Sequence, residues 1–136
     1  MSDTNDIELV NDSLERCTRR RQEFFEAFYR RFNASSDEVA AKFAGTDIKT
    51  QARALRESFY LLLRAVGGDP EAWQGLELRA IRHDHRHLDI RPGLYDLWLE
   101  CLLETIRDFD PKADAAIEAA WRRTMQKGID FMIARY

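Results

Sequence analysis

Residues 70–95 read PEAWQGLELRAIRHDHRHLDIRPGLY. Apolar residues recur at three and four through Trp73, Leu76, Ala80 and Ile81, the period of one face of an α-helix. The stretch opens on Asp69-Pro70, a capping aspartate followed by a proline at the first helical position, where its missing N–H costs nothing. All three histidines of the chain then fall close together, at His83, His85 and His87. On a strand they would share one face. On a helix successive members lie about 200° apart, which puts His83 and His87 on one side and His85 on the other. His85 continues the apolar stripe four residues after Ile81 and is expected to point inward.

Three readings of these histidines follow from the residues alone, and all three stay open at this level. His85 can be a hydrogen-bonded core residue. His83 and His87, one helical turn apart, can share a surface zinc, nickel or copper ion. Or His85 can be an axial ligand to haem iron, which requires a wide slot of aromatic and aliphatic side chains between helices.

The same periodicity extends in both directions. Upstream, Ile7, Val10, Leu14 and Cys17 form one stripe, and Phe24, Phe25, Phe28, Tyr29 and Phe32 a denser one that breaks at Asn33 and Ala34. Ser35 and Glu38 have capping-box spacing before the short stretch Val39 to Phe43, which Gly45 ends. Asp47 can cap a long helix carrying Ile48, Leu55, Phe59, Leu62 and Val66, which stops at Gly67-Gly68. Downstream, a helix ending near His87 gives way to a loop from Asp89 to Arg91. A helix from Pro92 then places Leu94, Trp98, Cys101, Leu102, Thr105, Ile106 and Phe109 on one side. The Asp-Pro signal returns at Asp110-Pro111, and a last helix buries Ile117, Trp121, Met125, Ile129 and Met132. Strand patterns, internal repeats and linkers are absent. The pattern predicts an all-α chain in which seven or so helices form a single domain over residues 1–136.

Composition narrows the function classes. The 136 residues are 45% hydrophobic, enough for one continuous core. Charged residues make up 33%, but 21 Lys+Arg against 24 Asp+Glu leave a net charge of only -3 and no basic stripe for nucleic acid. The polar, acidic start from Met1 to Asp6 lacks the features of a secretory signal. The longest apolar run, Phe59 to Leu63, is far below the roughly 20 residues needed to cross a bilayer. Cys17 and Cys101 lie far apart without CxxC spacing, so buried free thiols in a reducing, cytoplasmic setting are expected.

The order of these signals resembles the globin family, most closely the bacterial single-domain haemoglobins and the haem domain of flavohaemoglobins. The resemblance rests on Phe28-Tyr29, on Asp37 to Phe43 ending in phenylalanine, and on Gln51 followed four residues later by Leu55. It rests too on His85 standing five residues before Ile90 and ten before Tyr95, and on Ala120-Trp121 in the closing helix. It implies a three-over-three helical sandwich, since a full first helix over roughly Asp6 to Arg19 argues against the truncated two-over-two form. It implies a non-covalent haem b whose iron is held by His85, with Phe43 stacked on the ring and Ile90, Tyr95, Trp98 and Leu102 along the pocket. Tyr29, Gln51 and Leu55 would face a small diatomic gas on the other side.

Two departures touch the iron. The relatives place a glutamate in a hydrogen-bonded triad with the histidine and the tyrosine, where this chain has Tyr136; a neutral phenol there would weaken the push of negative character into His85. They also often carry a lysine before that histidine, where this chain has Asp84. Arg82, Arg86 or Arg91 then stands in as a partner for the haem propionates. The resemblance implies binding of O2, CO or NO at a five-coordinate ferrous haem, for oxygen transport or storage. A nitric oxide dioxygenase served by an external reductase is the alternative, as is a haem-based gas sensor signalling through a partner. A haem-free helical interaction domain is the reading His85 argues against. Arg19 to Arg21 and Arg30-Arg31 can contact a partner protein or form a solvated face, and no oligomeric state follows from the sequence.

Overall fold

Helix starts in this chain are set by side chains that accept the first free N–H groups. In the computed structural model Asp47 accepts the N–H of Thr50 at 2.9 Å, Asp69 that of Glu71 at 3.0 Å, and Asp114 that of Ile117 at 2.8 Å. The structure describes residues 2–20, 22–83 and 90–136, and their side chains apart from those of residues 2–4, 20, 22, 55, 82 and 83. Among them are helices α1 (Ser2–Cys17), α2 (Gln22–Ala34), α3 (Asp37–Lys42), α4 (Ile48–Val66), α5 (Pro70–His83), α6 (Pro92–Phe109) and α7 (Ala115–Ile133). A single turn of 3-10 helix, Thr18–Arg20, follows α1, and no strand occurs among the described residues. Helix α4 ends as expected at Gly67-Gly68, where Gly68 takes a left-handed φ of +110° that a side chain would resist.

The helices form a three-over-three sandwich in which α7 packs on α1, α4 and α6, α2 on α4 and α6, α5 on α4, and the short α3 on α2. Its centre is aromatic. Phe25 meets Phe59 at 5.9 Å between centroids, Phe59 meets Trp121 at 5.7 Å, and Phe28 meets Trp98 at 5.6 Å. Every residue of the dense stripe from Phe24 to Phe32 is buried, as are Ile117, Trp121, Met125, Ile129 and Met132 of α7. Cys17 and Cys101 are buried free thiols. No helix among the described residues is long and apolar enough to cross a membrane.

Three local expectations are corrected. The cap of α3 is Ser36, whose hydroxyl accepts the N–H of Glu38 at 3.1 Å, and not Ser35, whose hydroxyl donates back to Phe32 O. With Ser36 as the cap, Glu38 falls one position short of the place a capping box requires, and its carboxylate accepts from Arg91 instead. Asp110-Pro111 does not start a helix: Asp110 ends α6, and its carboxylate is buried against Ser13 and Arg16. Ile81 is 47% exposed. The inward row of α5 is Ala72, Leu76 and Ala80, because α5 lies against α4 and α7 along that line. The inward direction expected of His85, and the stretch through Asp89, lie outside the described residues.

Candidate functional site

A cavity of about 330 Å³ lies between the layers, walled mainly by apolar side chains. Helix α2 contributes Tyr29 and Phe32, one turn apart, and α3 with its cap contributes Val39, Lys42 and Phe43. The row Ala54, Ser58 and Leu62 of α4 advances by four along one face, beside Phe59. Helix α5 adds Leu76 and Arg79; Ile90 and the first turns of α6 add Leu94, Tyr95 and Trp98. At the far end stand Gly128, Ile129 and Met132 of α7.

The aromatic walls hold each other in edge-to-face and tilted contacts. Tyr29 meets Phe43 at 5.9 Å with an interplanar angle of 72°, and Trp98 is wedged between Phe28 and Phe59, at 5.6 and 6.1 Å. Such contacts fix ring orientation without polar groups. Burial pushes the phenol of Tyr29 up to about 12. It therefore stays protonated as a donor, and it makes no hydrogen bond among the described residues. Tyr95, half-buried, is likewise pushed up to about 12 by burial.

Charge enters this wall at two points, Lys42 and Arg79. Arg79 has no ion pair among the described residues, and a guanidinium against an apolar wall favours an anionic group on whatever occupies the cavity. Gly128 serves space. A Cβ there would lie 2.4 Å from Leu62 Cδ1, so its absence lets α7 approach α4.

Of the residues singled out in the sequence, Tyr29, Phe43, Ile90, Tyr95 and Trp98 meet on this one wall. Leu102 does not reach it: one turn beyond Trp98, it is fully buried in the core. Gln51 is buried beside α2, where Asn33 Nδ2 donates to its Oε1 at 3.3 Å. His85 and the side chain of Leu55 lie outside the described residues, as do Arg86, His87 and the side chains of Arg82 and His83. Arg91 is exposed and paired with Glu38 at 2.8 Å. No group of three metal-ligating side chains occurs among the described residues.

Sequence reasoning missed Ser58, Lys42, Arg79 and Gly128. Counting three and then four from Gln51 reaches Ala54 and Ser58, and a lone glycine inside a helical pattern marks close packing, so two of the four carried a signal. Lys42 and Arg79 carried none, since charged residues on helix flanks are the ordinary case.

No protein-family model and no curated protein matches the chain. Among solved structures, the chain is similar to a Pseudomonas aeruginosa PAO1 protein described as structurally highly homologous to a human haemoglobin. The two are 38% identical with a TM-score of 0.87, over 96% of this chain and 98% of that one.

Proposed function

Because the chain belongs to the globin family, we propose that its cavity holds one non-covalent haem b on His85 and that the protein binds dioxygen, or another small diatomic gas, beside Tyr29. The observation that carries the proposal is the convergence of Tyr29, Phe43, Ile90, Tyr95 and Trp98 on one apolar cavity. His85 itself lies outside the described residues, but Ile90 and Tyr95, five and ten positions after it, both line that cavity.

The residues present suit the group. A flat apolar macrocycle with two carboxylates needs aromatic and aliphatic walls with few cations, and here those are Phe43, Trp98, Leu94 and Ile90 with Lys42 and Arg79. The volume of about 330 Å³ falls within the roughly 300–1,000 Å³ of ligand pockets. When bound, haem supplies an iron atom with an open position for a gas molecule. Tyr29 would then donate a hydrogen bond to the gas, while Phe32 and Phe59 exclude water. Lys42 and Arg79 would take the carboxylates. A reversible gas carrier needs no more than this.

The test is the absorption spectrum of the purified protein, reconstituted with haem, in ferric, ferrous and carbon monoxide states, beside His85→Ala. A Soret band that requires His85, with a ferrous form that takes up carbon monoxide, is expected. No stoichiometric haem, or uptake indifferent to His85, would overturn the reading.

A further inference from the structure

Gln51 belongs to the cavity-facing row of α4 by position but not by side chain. Residues 51, 54, 58 and 62 advance by three and four, and Ala54, Ser58 and Leu62 all line the cavity. The side chain of Gln51, 3% exposed, instead meets Asn33 of α2, whose Nδ2 donates to Gln51 Oε1. At 3.3 Å this bond is long. It also leaves two buried atoms unmet among the described residues, Gln51 Nε2 and Asn33 Oδ1. Exchanging oxygen and nitrogen in both amides leaves one donor and one acceptor unmet just the same. Asn33 follows Tyr29 by one helical turn, and Tyr29 lines the cavity while neither amide does.

A buried donor without an acceptor carries its desolvation cost in full. Turning away gives Nε2 an acceptor but breaks the one long bond from Asn33 Nδ2, so each position makes a single bond and the resting one is only weakly favoured. We propose that Asn33 is a parking partner for Gln51: the amide rests on Asn33, and in a second position it turns along the α4 row and donates to the gas ligand beside Tyr29. This inference rests on the haem reading. It makes Asn33, which touches neither haem nor gas, a positioning residue that sets how strongly the site favours a polar ligand over an apolar one. A ligand that accepts a hydrogen bond draws the amide over. One that accepts poorly leaves it parked.

The test is the infrared spectrum of the carbon monoxide complex, whose C–O stretch falls when a donor points at the ligand, together with the dioxygen release rate. Wild type is expected to show two bands. Asn33→Leu removes the parking partner, so the lower band should grow and dioxygen release should slow by roughly two- to tenfold. Asn33→Asp offers Nε2 a carboxylate, so the higher band should grow and release should quicken. In a Gln51→Leu background neither change should have any effect. Unchanged bands and rates in both Asn33 variants, or equal effects without Gln51, would overturn the inference.

Urea unfolding of the haem-free chain tests the parked contact separately. Asn33→Leu and Gln51→Leu are expected to be non-additive, and simple addition would overturn the contact. A chain that takes up no haem overturns the haem reading and the gas-facing position with it, and this unfolding cycle still decides whether the amides are coupled.

Discussion

The indole N–H of Trp121 donates to the hydroxyl of Ser13 at 2.9 Å, joining residues 108 positions apart. That hydroxyl in turn donates to Asp110 Oδ2 at 2.6 Å, and Arg16 holds the same carboxylate at 2.6 and 3.0 Å. One largely buried polar chain thus ties α1, the α6–α7 corner and α7 together. Ser13→Ala leaves the indole N–H without an acceptor and takes a donor from Asp110, a loss of about 1–3 kcal/mol. Urea unfolding should show a lower midpoint with an unchanged slope.

Acid should dissolve this chain of contacts in a defined direction. Burial raises the pKa of Asp110, but the hydrogen bonds from Arg16 and Ser13 outweigh it and hold the carboxyl below its ordinary value of 3.8. The hydrogen bond from Arg123 does the same for Asp6 against its burial. A depressed folded pKa means that the stabilisation is full above the unfolded value and is lost as pH falls through the folded one. Stability should therefore be level above about pH 5 and fall below about pH 4. Asp110→Asn should be less stable at pH 7 and should lose less on acidification.

Gly128→Ala sets two effects against each other. Alanine gains about 1 kcal/mol of helix propensity over glycine, while its Cβ would stand 2.4 Å from Leu62 Cδ1 and 2.6 Å from Leu62 Cγ. Overpacking of this kind costs about 1–3 kcal/mol. A net loss of stability is expected, with Leu62 driven toward the cavity, and the double variant with Leu62→Ala should lose less than the two single losses added. If Gly128→Ala proves more stable than wild type, the close approach of α4 and α7 is not what this glycine serves.

Tyr29→Phe removes one donor and little volume. A hydrogen bond to a charged group is worth about 1.5–3 kcal/mol, and at about 1.4 kcal/mol per tenfold dioxygen release from the haem-loaded protein should quicken roughly ten- to a hundredfold. Carbon monoxide release should change much less. Stopped-flow rates check both, and an unchanged oxygen rate would remove Tyr29 from the ligand side.

The Glu38–Arg91 pair links α3 to the start of α6 in the open, with side chains 37% and 52% exposed. Solvent screening limits such a pair to about 0–1 kcal/mol. Glu38→Gln should cost no more than that at low salt and nothing measurable at high salt, as read by thermal unfolding.

Much of the fold was legible because helices announce themselves locally. A repeat at three and four, an aspartate before it and Gly-Gly after it depend on neighbours within a few residues, and Asp47, Gly68 and the stripe from Phe24 to Phe32 all behave accordingly. The pocket was partly legible for the same reason. Trp98 stands in the apolar row of its helix, and burying that row carries it inward, whereas Phe43, Ile90 and Tyr95 were expected at the pocket from the family resemblance.

What the sequence by itself determined is therefore which residues face inward on each long, strongly periodic helix, and hence an all-helical sandwich with an aromatic centre. Only the tertiary structure decided where the polar and borderline residues went. Ser36 and not Ser35 caps α3, and Glu38 pairs with Arg91, 53 positions away. Asp110 turned from a helix start into a buried carboxylate because Arg16 and Ser13 reach it from α1. Gln51 came to rest on Asn33, and Ile81 was left in solvent while Ala80 was buried. The physical reason is range: apolar burial follows the period of a single helix, whereas a hydrogen bond or an ion pair follows whichever partner the packing of distant helices brings within about 3 Å.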